Sequence, residues 1–286
     1  MIELDTVTKT FKRHRVLDAV STSFADGDRV ALIGSNGAGK TTLIRCLLGE
    51  YKCLGDVRIN GMDPTLKRRE VLAKVGFVPQ LPPPLKMPVG ELIRFAASVS
   101  HADPADMENV SATLGLDIAA IRHQPFVKLS GGQKQKLLIG IALGRDCDAL
   151  IMDEPAANLD PESRQSFFKL LAERQNGTVM LISSHRLDEI AALVNRVVEL
   201  DQGQIVLDDH VADAVDLDAE LACTIRLSRK EDAFGRALTE WGFNDIGDGL
   251  TWNGSVAGPD RLRFLGMVSR YAGILAGLEL QEGGRA

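Results

Sequence analysis

Gly34-Ser35-Asn36-Gly37-Ala38-Gly39-Lys40-Thr41 lies between a short apolar run, Arg29-Val30-Ala31-Leu32-Ile33, and a stretch of helical character from Thr41 to Leu48. It matches G-x-x-x-x-G-K-[ST] at every position, and the strand–loop–helix setting is the one that gives this pattern its meaning. Glycines let the backbone turn so that several N–H groups point at one anion, and the helix that starts there adds its positive end. Lys40 is placed to reach β- and γ-phosphates, and the Thr41 hydroxyl to ligate Mg²⁺, with Thr42 as a second hydroxyl. The loop therefore predicts a nucleoside triphosphate site. No Asn/Thr-Lys-x-Asp stretch follows that would read a guanine. Phe11, upstream in Thr8-Lys9-Thr10-Phe11-Lys12, offers a face on which adenine can stack, with a core phenylalanine as the alternative.

Working outward, residues 2–8, 16–22 and Gly55–Gly61 alternate apolar and polar, as half-buried strands do. Val75–Gln80 reads as a strand that stops before Leu81-Pro82-Pro83-Pro84, since proline supplies no ladder donor. From Val89 to about Ile121 the pattern is helical, with Leu92, Phe95, Ala96 and Val99 predicted on one face and Val110, Leu114 and Ile118 on another. Ala149–Met152 and Thr178–Ile182 read as buried parallel strands. The alternation implies an α/β sheet with an inserted helical block over about 81–148. Asp208-Asp209, Asp213, Asp216 and Asp218 suggest a linker helix. The tail, about 220–286, reads β-α-β-β-α-β, the split-βαβ plan: strands at 224–228, near 244–246, at 250–256 and at 274–280, and helices at 231–241 and 259–271.

Asp153-Glu154 ends the run Ala149-Leu150-Ile151-Met152. Two adjacent buried carboxylates are costly, so they are expected at the strand's carboxyl end, where α/β sheets bind ligands. Asp153 would support the Mg²⁺ shell, and Glu154 would orient or deprotonate the attacking water. Gln80 could touch both metal and water with a neutral amide. His185, closing Leu181-Ile182-Ser183-Ser184, could donate a hydrogen bond to the γ-phosphate; an ordinary structural role is the alternative for each.

Leu129-Ser130-Gly131-Gly132-Gln133 opens another helix. Ser130 can cap it, and the glycines let a second anion approach. One chain does not need two γ-phosphate devices, but two chains facing each other do, if each lends this loop to the other's ATP.

With LSGGQ, the phosphate loop, Gln80, Asp153-Glu154 and His185 in order, residues 1–210 resemble the ATP-binding subunit of an ATP-binding cassette transporter. The resemblance implies a P-loop α/β core with an antiparallel β subdomain and a helical subdomain. It also implies ATP and Mg²⁺ as ligands, a head-to-tail dimer with a second copy, and an integral membrane permease received near Gln80–Leu85. Gly34 to Thr42 would bind one face of the nucleotide; Ser130, Gly131, Gly132 and Gln133 would reach the partner's. Asn158-Leu159-Asp160 matches the loop that crosses the dimer, with Asn158 a mild departure from the small residue often found there. One phosphate loop and one LSGGQ about 90 residues apart argue against two-cassette translation factors and coiled-coil chromosome ATPases. A regulatory ATPase without a permease, or a subunit serving copper-centre maturation of nitrous oxide reductase, are the alternatives within the resemblance.

Bulk properties agree. Hydrophobic residues are 45% and charged residues 25% of 286, with formal net charge −6, which argues against a nucleic-acid partner. No run approaches the roughly 20 apolar residues of a membrane span, and the N-terminus lacks a signal-peptide core. The expected location is the cytoplasmic face of a membrane, held there by a partner. Cys46, Cys53, Cys147 and Cys223 form no CxxC pair, so free thiols are expected.

Overall fold

The computed structural model describes residues 1–174, 177–184, 187–210, 220–247, 249–257, 264–265, 267–268 and 271–282. The chain divides into two compact units, one of residues 1–187 and 193–211, the other of 188–192 and 212–286.

In the first unit, alternation at the N-terminus produces β1 (Ile2–Phe11) and β2 (His14–Phe24), followed by β3 (Arg29–Ile33), α1 (Lys40–Leu47) and β4 (Leu54–Ile59). β1, β2 and β4 form an antiparallel three-stranded sheet in the order β2-β1-β4. Next come α2 (Arg68–Ala73) and β5 (Val75–Val78), then α3 (Val89–Ser100), α4 (Pro104–Thr113), α5 (Ile118–Ile121) and α6 (Gly131–Leu143). After them follow β6 (Ala149–Asp153), α7 (Pro161–Ala172), β7 (Val179–Ser183), β8 (Arg196–Asp201) and β9 (Gln204–His210); the short α8 (Leu187–Ile190) comes between β7 and β8 in sequence, and its residues from 188 on count with the second unit.

The larger sheet has the order β5-β6-β7-β3-β8-β9, parallel except for β9. β3 lies inside it, and Val30, Ala31 and Leu32 are fully buried, as a strand covered on both faces requires. Ile2, Phe24, Leu43, Ile44, Leu47 and Leu200 belong to one core joining the small sheet, α1 and the large sheet. Burial of each such side chain contributes about 1.5–3 kcal/mol, and together they hold the phosphate loop from below.

The helical stretch 89–121 is three helices rather than one. His101 takes φ 56° at the end of α3, and Asp103 caps α4 with Pro104 at its first position. The face expected on α3 is buried at Leu92 and half-buried at Ala96 but not at its other two positions. Val89, Gly90, Leu92, Ile93 and Ala97 point inward, whereas Phe95 is 58% and Val99 44% exposed. Both faces of α3 are apolar, so periodicity alone could not choose between them. The linker-helix expectation fails at Asp208-Asp209, which are in β9. Arg196 on β8 draws Asp208 into the ladder with an ion pair at 2.7 Å and holds Asp28 at 2.9 Å. Asp213, Asp216 and Asp218 lie outside the described residues.

The second unit contains β10 (Glu220–Leu227), α9 (Asp232–Glu240), β11 (Asn244–Asp245), β12 (Thr251–Ala257) and β13 (Leu275–Glu282). Its antiparallel sheet has the order β11-β12-β10-β13. Ile225, Phe234, Leu238, Phe243 and Phe264 fill one core, with the Phe243 and Phe264 rings stacked at 5.1 Å. Most of the expected helix 259–271 lies outside the described residues; 264–265 and 267–268 are helical.

Candidate nucleotide site

The loop from Gly34 to Gly39 leaves the carboxyl end of β3 and enters α1. Gly34 has φ 146°, and a Cβ there would stand 2.2 Å from the Leu200 carbonyl oxygen. Gly39 is the N-cap of α1 at φ 112°, and no side chain caps the helix. A Cβ on Gly39 would meet Leu17 at 2.9 Å and the Val16 carbonyl at 3.0 Å. Both positions are closed to other residues by φ and by space. Ala38 is buried, and its N–H donates to Ser35 O at 3.1 Å. Lys40 is 8% exposed, and its ammonium donates to Gly34 O at 2.6 Å and Ser35 O at 3.3 Å. A cation, a run of N–H groups and the positive end of α1 therefore share one small loop, suited to a polyphosphate. Thr41 and Thr42 follow in the first turn, half-buried.

Facing this loop, β6 ends in Asp153, 3% exposed, and Glu154, whose φ is +49°. Ser183, at the end of β7 and fully buried, holds both. Its hydroxyl donates to Asp153 Oδ1 at 2.5 Å and accepts from the Glu154 N–H at 3.0 Å. The Glu154 N–H also reaches Ser183 O at 3.2 Å. Ser183 is the site residue that sequence reading missed, because it enters only through the pairing Asp153↔Ser183 between parallel neighbours. Gly34, Ser35, Asn36, Gln80 and Glu154 together line an open cleft of about 550 Å³. His185 lies outside the described residues.

Phe11 is 39% exposed and so is not a core residue. Tyr51 meets it edge-on at 5.2 Å, and the Lys9 ammonium stands 4.8 Å from its centroid. Arg45 donates to the Tyr51 hydroxyl at 2.7 Å. Lys9 is on β1, two residues before Phe11, whereas Tyr51 comes from the connection between α1 and β4 and did not stand out in the sequence.

The second glycine-bearing loop is built differently. Ser130 is the N-cap of α6 in a capping box: Ser130 Oγ accepts from the Gln133 N–H at 3.2 Å, and Gln133 Oε1 accepts from the Ser130 N–H at 3.0 Å. The Gln133 side chain is thus engaged in its own helix end. Gly131 beside it is exposed. Ser130, Gly132, Gln133, Lys136 and Asp160 line a pocket of about 380 Å³ that shares no residue with the cleft at the phosphate loop. Asp160 caps α7 by accepting from the Ser163 N–H at 2.9 Å. That bond, the Lys136 ammonium and the Ser163 hydroxyl hold its carboxyl well below the usual carboxylate range.

A family model described as ABC transporter matches residues 17–157. Over 283 residues, the chain is 30% identical to "Methionine import ATP-binding protein MetN 4" of Oceanobacillus iheyensis, covering 94% of this chain and 79% of the relative. It is 33% identical over 211 residues to human "ATP-binding cassette sub-family A member 13", of which it spans only 4%. Among solved structures, "Structure of ATP binding subunit of ABC transporter" matches with TM-score 0.66 and 25% identity, over 75% of this chain and 91% of that one. On its fold, its two glycine loops and these similarities, the chain belongs to the ABC transporter family, as one of its ATP-binding, ATP-hydrolysing cassettes.

Proposed function

We propose that this chain is the ATPase subunit of a transporter, working as a head-to-tail pair with a second copy and coupled to an integral membrane permease. The observation that carries the pairing is the separation of the two glycine loops: one opens on the cleft with Glu154, the other on a different pocket of the same unit. In this reading Gly34–Thr42 and Phe11 hold ATP, and Ser130, Gly131, Gly132 and Gln133, with Asp160 behind them, reach the partner's ATP. Glu154 takes or orients the proton of the attacking water, held in place by its backbone bond to Ser183. Gln80 and His185 are assigned to the water and the γ-phosphate.

The residues also fit Mg²⁺. Among the described residues no three His, Cys, Asp or Glu side chains converge on one point. The donors are instead the Thr41 hydroxyl, the Gln80 amide and the Asp153 carboxylate, an oxygen set of the kind this ion takes when phosphates complete its shell. Bound there, Mg²⁺ would supply charge neutralisation at the phosphates.

No described helix is long and apolar enough to cross a membrane. A cytoplasmic position at a membrane surface then depends on the permease, which would dock beside Gln80 and the proline run. The domains are assigned as 1–210 for the cassette, with its helical subdomain at about 81–148, and 220–286 for an accessory domain.

Mixing two inactive variants tests the pairing. Ser130→Arg spoils the lent loop, and Glu154→Gln spoils the catalytic carboxylate. In a mixed pair one of the two sites is intact, and random pairing makes half the dimers mixed, so about a quarter of the normal rate returns. A mixture as inactive as its components would refute shared sites.

A further inference from the structure

Three contacts run from the start of α6 to the segment between Glu154 and α7. Gln135 is fully buried, and its Nε2 donates to the Pro155 carbonyl at 2.8 Å. The Lys136 ammonium, on a side chain 15% exposed, pairs with Asp160 Oδ2 at 2.9 Å. A Cβ on Gly132 would lie 3.3 Å from the Asn158 carbonyl oxygen, so the two backbones pass closely. Pro155 directly follows Glu154, and Asp160 fixes the first turn of α7 through Ser163. The lent loop at Ser130–Gln133 is therefore attached, through its own helix, to the loop that carries this chain's catalytic carboxylate.

The chemistry of Gln135 is wasteful if stability is its purpose. Its Oε1 is buried with no partner among the described residues. An apolar side chain of the same shape would fill the space without desolvating an acceptor that finds nothing. A buried polar group left half-satisfied calls for another explanation, and a role in the reaction is one.

We infer that Gln135 and Lys136 are positioning residues that bind the lent loop and the catalytic loop of one chain into a single piece, so that closure on the partner's nucleotide sets Glu154 over this chain's own. This rests on the site roles proposed above. The pieces it joins, 132–136 and 155–160, lie within one compact unit, and each contact can be broken separately.

The test uses Gln135→Met, Lys136→Met and Lys136→Arg in the full chain, with steady-state hydrolysis and thermal unfolding measured together. Gln135→Met removes one orphan acceptor and leaves another at Pro155, so Tm should move by only a few degrees. We expect kcat to fall roughly tenfold with KM for ATP within about twofold, since the contact orders the catalytic group rather than the substrate. Lys136→Met should lower kcat in the same pattern, and Lys136→Arg should restore it. Because Lys136 keeps an exposed edge, its variants remain informative if Gln135→Met does not fold. Normal kcat in both methionine variants, or losses that simply follow Tm, would overturn the inference. Glu154→Gln run alongside separates the two levels: if it still hydrolyses ATP, the underlying site assignment has failed; if it is inactive while Gln135→Met and Lys136→Met are normal, only the inference has.

Discussion

The helices α1 and α6 each begin at a glycine-bearing loop, yet the two ends are made by opposite means. At α1 the loop shape comes from the backbone: Gly39 sits at positive φ as the N-cap, and Gly34 and Gly39 fit where a Cβ would strike Leu200 and Leu17. No side chain competes for the helix's first N–H groups. At α6 the shape comes from side chains: Ser130 and Gln133 close a reciprocal box, and Gly131 has open space around it. An end that leaves its donors uncapped is ready to receive several phosphates. An end that satisfies its own donors stays folded while facing solvent, as a loop that waits for a ligand on another chain must. In the proposed pairing, this is the difference between a binding site and a lent surface.

Substitutions at the two ends should separate these roles. Glu154→Gln, beside the α1 end, is expected to slow hydrolysis about 10²- to 10⁴-fold, the share of a positioned general base, while titration with ATP still shows binding. Turnover at the normal rate would leave the cleft without its assigned chemistry. Phe11→Ala removes a stacking face worth about 1–3 kcal/mol, so KM for ATP should rise by about one order of magnitude with kcat little changed; an unchanged KM would detach the aromatic pair from the base. Ser130→Ala tests the other end. Loss of a side-chain cap costs about 1 kcal/mol, or roughly 2–4 °C in Tm for a unit of this size, and α1 has no equivalent side chain to lose. A Tm that does not move would mean that the box contributes nothing.

The smallest expected effect is chemical. A bond from the Cys46 thiol, reinforced by Lys9, lowers the Cys53 thiol to about 7, whereas the same contact and burial push Cys46 up. Cys53, half-buried, should therefore alkylate first, at a rate that climbs as pH rises through about 7 and then levels off. Peptide mapping that found Cys46 labelled first would reverse the assignment.

Much of this contrast could be read before any fold was known. β3 and the start of α1 were legible because a buried strand, a glycine loop and a helix leave distinct marks within 20 residues of sequence. Asp153 and Glu154 were legible because two acids closing an apolar run have few places to go. Ser183, Tyr51, Gln135 and Lys136 were not. Ser183 looks like the tail of a buried strand until β6 and β7 lie side by side in register. Gln135 looks like any polar residue after LSGGQ until the carbonyl of Pro155 arrives from 20 residues away. Local chemistry survives in a sequence pattern, whereas a role defined by a neighbour from another element does not. Half of the face expected to be buried on α3, Phe95 and Val99, was misjudged for a related reason, since these are as apolar as Val89 and Ile93 and only packing decides between them.

Glu154 holds a left-handed backbone, φ +49°, at a side chain that prefers otherwise. Glycine would adopt that conformation without strain and could gain up to about 1 kcal/mol in stability. A laboratory selection for heat resistance alone would therefore tend to accept Glu154→Gly and, on the role proposed for this carboxylate, return a sturdier, inert protein. On the role proposed for Glu154, a carboxylate at this torsion trades durability for turnover, and the position is one to exclude from any stabilising library.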